Sequence, residues 1–145
     1  MLNFRNLTYL TKKGHNLRMQ IFCKEQGISP EIEIDQWDEK LSGSHHYYLY
    51  ADGALIAYAR SYFQDGLIHL GRFCVAQPFR KNLIGSQFYN LIEAKLLKQK
   101  SGKIVLNAQV RVQHFYASLG FVAEGEGFLE AGIPHQRMSK SLVNS

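Results

Sequence analysis

The residue types and spacings best suited to chemistry fall between Leu70 and Ser86. A strand-like run ends in Gly71-Arg72-Phe73-Cys74-Val75, a loop bearing Arg80 and Lys81 follows, and a helical pattern opens near Gly85. The first turn of a helix carries unpaired N–H groups and a partial positive charge, which together favour an anion. Two full cationic charges at the same end suit a diphosphate. The same spacing also serves an ordinary strand–loop–helix connection with solvated basic side chains. Metal chemistry has no comparable support. Cys23 and Cys74 lie far apart, with no CxxC and no His or Cys at ligand spacing. His45 and His46 are adjacent at the head of a strand, where neighbours face opposite sides. No metal is expected.

Composition bounds what can surround this window. A chain of 145 residues suits one domain, 1–145, with one core. Apolar residues at 46% and charged residues at 20% exclude a disordered chain. A net charge of +5 and a pI near 9.2 favour an anionic partner, either nucleic acid or a phosphorylated cofactor. Lys95, Lys98, Lys100 and Lys103 read as the solvated side and end of a helix rather than a tract interleaved with aromatics, so nucleic acid is not an expected partner. The Met1 end lacks a basic segment followed by an apolar run, and no stretch is long enough to cross a membrane. The expected address is cytoplasmic, with both cysteines reduced and buried as small apolar residues.

The elements that position the loop follow from periodicity. LNFRNL at the start reads as a short strand. Leu17, Ile21 and Phe22 fit one helix face, which Gly27 ends. The acidic stretch Glu31 to Glu39, with Pro30 before it, reads as a loop or short helix. His46 to Ala51, Ala54 to Phe63 and Leu67 to Val75 are aromatic and β-branched, separated by Asp52-Gly53 and Asp65-Gly66, and predict an antiparallel meander. A helical face at Ile84, Phe88, Leu91, Ile92 and Leu96 follows Pro78. A strand over Lys103 to Ala108 comes next, then a helix with Val112, Phe115, Tyr116 and Leu119, ended by Gly120. Phe121 to Ala123 and His135 to Ser141 supply the last strands. A strand–helix–strand unit after a meander predicts an α/β (mixed α+β) fold with helices on both faces of a mixed sheet.

Arg80-Lys81-Asn82-Leu83-Ile84-Gly85 resembles the pyrophosphate loop of the GNAT superfamily, (Q/R)-x-x-G-x-(G/A), and sits directly after the fourth strand, as it does there. LNAQV (Leu106 to Val110), HFYASLGF (His114 to Phe121) and FLEAGIPHQRM (Phe128 to Met138) match further motifs in order. IFCKEQGI (Ile21 to Ile28) and EIEID (Glu31 to Asp35) are similar to the N-terminal motifs of the bacterial YjcF-like and ElaA-like branch. Two positions depart from the loop pattern: Leu83, and in many relatives Lys81, stand where glycine is usual.

The resemblance implies a mostly antiparallel sheet of six to seven strands, splayed between the fourth and fifth, and an acetyl-CoA-dependent N-acetyltransferase without a covalent enzyme intermediate. It places Phe73, Cys74 and Val75 on the strand that pairs with the pantetheine arm, with the Val75 N–H polarising the thioester carbonyl. Arg80, Lys81, Asn82, Leu83, Ile84, Gly85 and Ser86 would form the backbone nest around the pyrophosphate. Asn107 and Phe115 would contact the cofactor arm, and Tyr116 would protonate the departing thiolate. Many relatives carry a glutamate near the fourth strand where this chain has Arg72, so Glu25, Glu33, Asp35 and His135 become the candidate bases and acceptor contacts. Plainer roles for them are a solvated acidic loop and a hydrogen bond at a strand start. Acidic residues there would favour a cationic amine, on a small molecule or a protein. A non-catalytic acyl-CoA-binding or sensing protein of the same fold is the alternative, motivated by Leu83 and Arg72. The aromatic strands permit a homodimer.

Overall fold

Two tight turns organise the first half of the sheet in the computed structural model, which describes residues 1–99 and 102–142. β1 (Leu2–Leu7), β2 (His45–Ala51), β3 (Ala54–Gln64) and β4 (Leu67–Val75) pair antiparallel in sequence order. At Asp52-Gly53 φ is 49° and 86°, and at Asp65-Gly66 it is 54° and 76°. Positive φ at both central residues is the hairpin geometry whose twist matches that of the strands. Between β1 and β2 the chain forms α1 (Lys12–Arg18), a wide π-type turn over Met19–Glu25, α2 (Pro30–Glu33) and a 3-10 turn at Gln36–Asp38. Thr11 caps α1 by accepting the Gly14 N–H at 3.1 Å.

After β4 come a 3-10 turn (Gln77–Phe79), α3 (Ile84–Gln99), β5 (Gly102–Gln109) and α4 (Gln113–Ser118). β6 (Val122–Ala123), β7 (Phe128–Glu130) and β8 (Ile133–Leu142) complete the chain. The strand order is β1-β2-β3-β4-β5-β8-β6, with β7 on β8. Among the described residues only β4 and β5 run parallel, as a strand–helix–strand crossover through α3 requires.

Among the described residues the sheet has eight strands, one more than the six to seven expected. The additional one, β7, turns into β8 through Ala131-Gly132, with φ of 51° and 75°. Alanine is a weak signal for that geometry, so the sequence does not announce the hairpin. Lys100 lies outside the described residues.

One sheet face packs Tyr47, Leu49, Ile68, Ile104, Leu106 and Met138 against α3, which presents Phe88, Tyr89, Ile92 and Leu96. Burying each such side chain contributes about 1.5–3 kcal/mol. The helix face is rotated from the expected one: Leu91 is 39% exposed, and Tyr89 is fully buried in its place with its hydroxyl on Glu93 at 2.8 Å. The opposite sheet face buries Tyr48, Tyr58 and Cys74 under Ile21 and Phe22 of the π-type turn. No helix among the described residues is long and apolar enough to span a membrane.

Candidate active site

β4 and β5 part almost as soon as they meet. Their ladder joins Leu67–His69 to Lys103–Val105 and then stops. Beyond it, β4 bulges: Tyr58 pairs with Cys74 and Arg60 with Gly71, so Arg72 and Phe73 together oppose Ala59, and Arg72 adopts a left-handed φ of 52°. The bulge turns the end of β4 away from β5. Ala76 N–H donates to Ile56 O across β3 at 2.8 Å, so the alternation of the ladder points the Val75 N–H and C=O the other way, into the gap. Arg80 Nε takes the Val75 carbonyl at 2.8 Å, leaving the Val75 N–H facing a cleft of about 1090 Å³ that passes through the sheet.

The loop leading into α3 forms one mouth of this cleft. Lys81 and Leu83 have φ of 72° and 62°, while Arg80 and Asn82 do not enter the positive range. Such alternation turns successive N–H groups toward one concave side, a nest for an anion. Leu83, the departure from the glycine pattern, is 74% exposed at the mouth of the cleft. Gly85 allows α4 to approach, since a Cβ there would lie 3.1 Å from Phe115 Cζ. Phe73, Cys74, Val75, Arg80, Lys81, Leu83, Gly85, Ser86, Asn107, Phe115 and Tyr116 all line the cleft; Asn82 and Ile84 are not among its lining residues. Tyr116 is buried at the base of α4, edge-on to Phe73 at 6.1 Å. Burial pushes its hydroxyl well above the ordinary tyrosine value, so it remains a proton donor at any working pH. Cys74 is pushed up to about 12 by burial, which keeps it a thiol and removes it as a nucleophile.

On the other face the cleft is walled by a buried network of ions. Both oxygens of Glu33 accept from Arg18 Nε, at 3.0 and 2.9 Å, and Arg72 Nε donates to the same carboxylate at 3.1 Å. Arg18 and Arg72 each also donate to the Glu33 carbonyl at 2.8 Å. Asp38 accepts from Arg18 at 2.5 Å and from Arg60 at 2.9 Å, and Asp35 from Arg60 at 2.7 Å. Burial alone would raise the Asp38 carboxyl, but the Arg18 hydrogen bond, with the charges of Arg18 and Arg60, holds it far below the usual range. The stretch from Glu31 to Glu39 is therefore not a solvated acidic loop. Glu33 is 1% exposed, and both of its carboxylate oxygens are held by guanidinium groups. Asp35 lines the cleft but is likewise paired, and Glu25 faces a smaller neighbouring pocket and binds Arg80 at 2.9 Å. His135 is 6% exposed and lines the cleft beside Glu130, which sequence reasoning missed. Gln26 and Gln109, 83 residues apart, join across the cleft at 2.7 Å. No cluster suited to a metal occurs among the described residues.

Residues 20–142 match the model of the acetyltransferase (GNAT) domain. The chain is 31% identical over 130 residues to the uncharacterized N-acetyltransferase YjcF of Bacillus subtilis, covering 89% of this chain and 91% of that one. Among solved structures it is similar to an acyl-CoA N-acyltransferase from Pseudomonas aeruginosa (TM-score 0.85, 28% identity, 97% and 100% of the two chains covered). It is also similar to ElaA of Escherichia coli (TM-score 0.85, 25% identity, 96% and 99% covered).

Proposed function

The chain belongs to the GNAT acetyltransferase family, and from that premise we propose that its cleft brings acetyl-CoA and a primary amine together for direct transfer of the acetyl group. When bound, acetyl-CoA supplies an activated acetyl carbon and a thiolate leaving group. The protein's residues fit it: the Arg80–Ser86 nest suits a diphosphate, and the unpaired edge of β4 at Phe73 and Val75 suits an amide-bearing arm.

The observation that carries the reading is the pairing of two donors at the splay. The Val75 N–H is turned into the gap where the β4–β5 ladder has ended, and Arg80 holds the carbonyl of the same residue, so the N–H meets negative charge developing on an acyl oxygen without reorganising. Tyr116 holds its proton inside the same cleft, available to a departing sulfur. Asn107 and Phe115 flank the arm on the β5 and α4 sides. The acceptor enters from the opposite face, past Arg72, Asp35 and His135. We take it to be a small-molecule or protein amine, met in a reducing, cytoplasmic compartment that leaves Cys23 and Cys74 free.

The test is a thermal melt with acetyl-CoA together with a free-thiol assay in the presence of amines. Donor at about 100 times its Kd adds roughly 2.7 kcal/mol to stability. Tyr116→Phe is expected to keep that stabilisation and lose roughly a hundredfold in turnover. Retention of full turnover by Tyr116→Phe removes the acid role.

A further inference from the structure

Taking the acetyltransferase reading as its basis, we infer that His135, oriented by Glu130 and Asn107, is the group that takes the proton from the acceptor ammonium. The argument begins with a carbonyl. His135 Nδ1 lies 2.7 Å from Ile133 O, which can only accept, so Nδ1 carries the hydrogen. In the neutral ring Nε2 is then a lone pair, and 3.6 Å away it meets Glu130 Oε2, another acceptor. Two acceptors 3.6 Å apart, beyond direct hydrogen-bond reach, form a site that a donor N–H from a ligand can bridge. A primary ammonium in the cleft supplies such an N–H.

The surroundings hold the pair in place. Asn107 Nδ2 donates to the other Glu130 oxygen at 3.2 Å, tying β5 to β7. Phe128 stacks on the His135 ring, 6.0 Å between centroids. The register sets Phe128 opposite His135 and Glu130 opposite Ile133, so Glu130 and His135 share one face diagonally. The other charged groups around His135 are Arg137 on β8 and Arg111 after β5, with Arg72, Glu33 and Asp35 across the cleft. Glu33 and Asp35 already hold guanidinium partners, whereas among the described residues Glu130 meets an amide and this ring, so it is the carboxylate placed to answer a new positive charge.

In the step itself one N–H bond of the ammonium breaks and one Nε2–H bond forms. The amine is left neutral with a free electron pair, the imidazolium charge is offset by Glu130, and the proton passes to water when the site empties. His135 touches the reacting nitrogen; Glu130 and Asn107 are positioning residues that act through it.

The test has two arms. In the first, the 15N resonances of the His135 ring are recorded by NMR in wild type and Glu130→Gln, with no ligand added. Loss of the carboxylate beside Nε2 is expected to displace the Nε2 resonance and leave Nδ1, held by the Ile133 carbonyl, in place; an unmoved Nε2 resonance overturns the pair. In the second, thiol release from acetyl-CoA is followed with n-butylamine as the acceptor. His135→Gln is expected to slow release roughly a hundredfold while donor-induced thermal stabilisation persists, and Glu130→Gln to lower kcat for the amine with KM for acetyl-CoA unchanged. Rates of His135→Gln equal to wild type overturn the assignment. A wild-type protein that neither binds donor nor releases thiol overturns the acetyltransferase reading instead, and the NMR arm still decides the pair.

Discussion

Glu33→Gln separates a carboxylate that builds the cleft from one that reacts in it. The ionic cluster contains Arg18, Arg60 and Arg72 against Glu33, Asp35 and Asp38, three charges of each sign. Arg18 and Glu33 are essentially inaccessible, and Arg60 is 3% exposed. Glutamine preserves volume but leaves one uncompensated positive charge and turns an amide N–H₂ toward guanidinium donors. Removing one partner from such a site costs about 3–5 kcal/mol, out of a total stability of about 5–15 kcal/mol for a domain. At this chain length that corresponds to a fall in Tm of roughly 10 °C or more. Urea melts at neutral pH should show a lower midpoint with an unchanged slope, and the loss should hardly depend on salt because the cluster is shielded from it. Glu31→Gln, two residues away and exposed, should leave the melting curve in place. A stability loss below about 1 kcal/mol, accompanied by collapse of turnover, refutes the reasoning and returns Glu33 to the candidate bases.

Three further outcomes are expected. Burial pushes His46 down from 6.5 to about 4, so between those values the unfolded chain binds a proton that the folded one refuses, and stability rises with pH. His46→Phe should flatten that slope by up to about 1.4 kcal/mol per pH unit, leaving a remainder from His45, which burial also pushes down; denaturant melts across this range with an unchanged slope exclude His46 as the cause. Leu83→Gly relieves a left-handed φ at a cost in unfolded-state entropy, and because the side chain is exposed the net change should be a gain of no more than about 1 kcal/mol; a loss of that size means the leucine packs. Arg80→Met removes the bond to the Val75 carbonyl and the pair with Glu25, and should weaken coenzyme A binding by about tenfold, read by calorimetry; an unchanged Kd excludes it from the site.

Much of this molecule is legible in its sequence because the signals are local. Asp52-Gly53 and Asp65-Gly66 mark turns by their own backbone preferences, and Phe88, Ile92 and Leu96 mark a buried stripe by their spacing. Leu91 misleads because its spacing fits the stripe equally well, and the contacts that hold Tyr89 inward instead, with Phe121, Glu93 and Lys140, are all tertiary or specific to its hydroxyl. The ionic cluster could not be read at all. Arg18, Glu33, Arg60 and Arg72 lie on four separate elements, and nothing local says which cation meets which anion. Arg72 in particular depends on a bulge at a residue with no glycine-like preference. Glu130 and His135 come together only once the Ala131-Gly132 hairpin fixes their register, which the sequence marks faintly.

The short seam between β4 and β5 has a thermodynamic consequence. Had the two strands stayed paired to their ends, Phe73 and the Val75 N–H would have found their partners within the sheet, as the Val75 carbonyl finds Arg80. Each buried group left without a protein partner costs about 1–3 kcal/mol unless water serves it, so the open sheet gives up stability that a closed one would have kept. That forgone pairing is available again to any extended chain of amides that slides into the slot. The ligand completes an interrupted strand, and part of its affinity is pairing energy that folding left unused. A variant that closed the seam would be the more robust fold and an inert one.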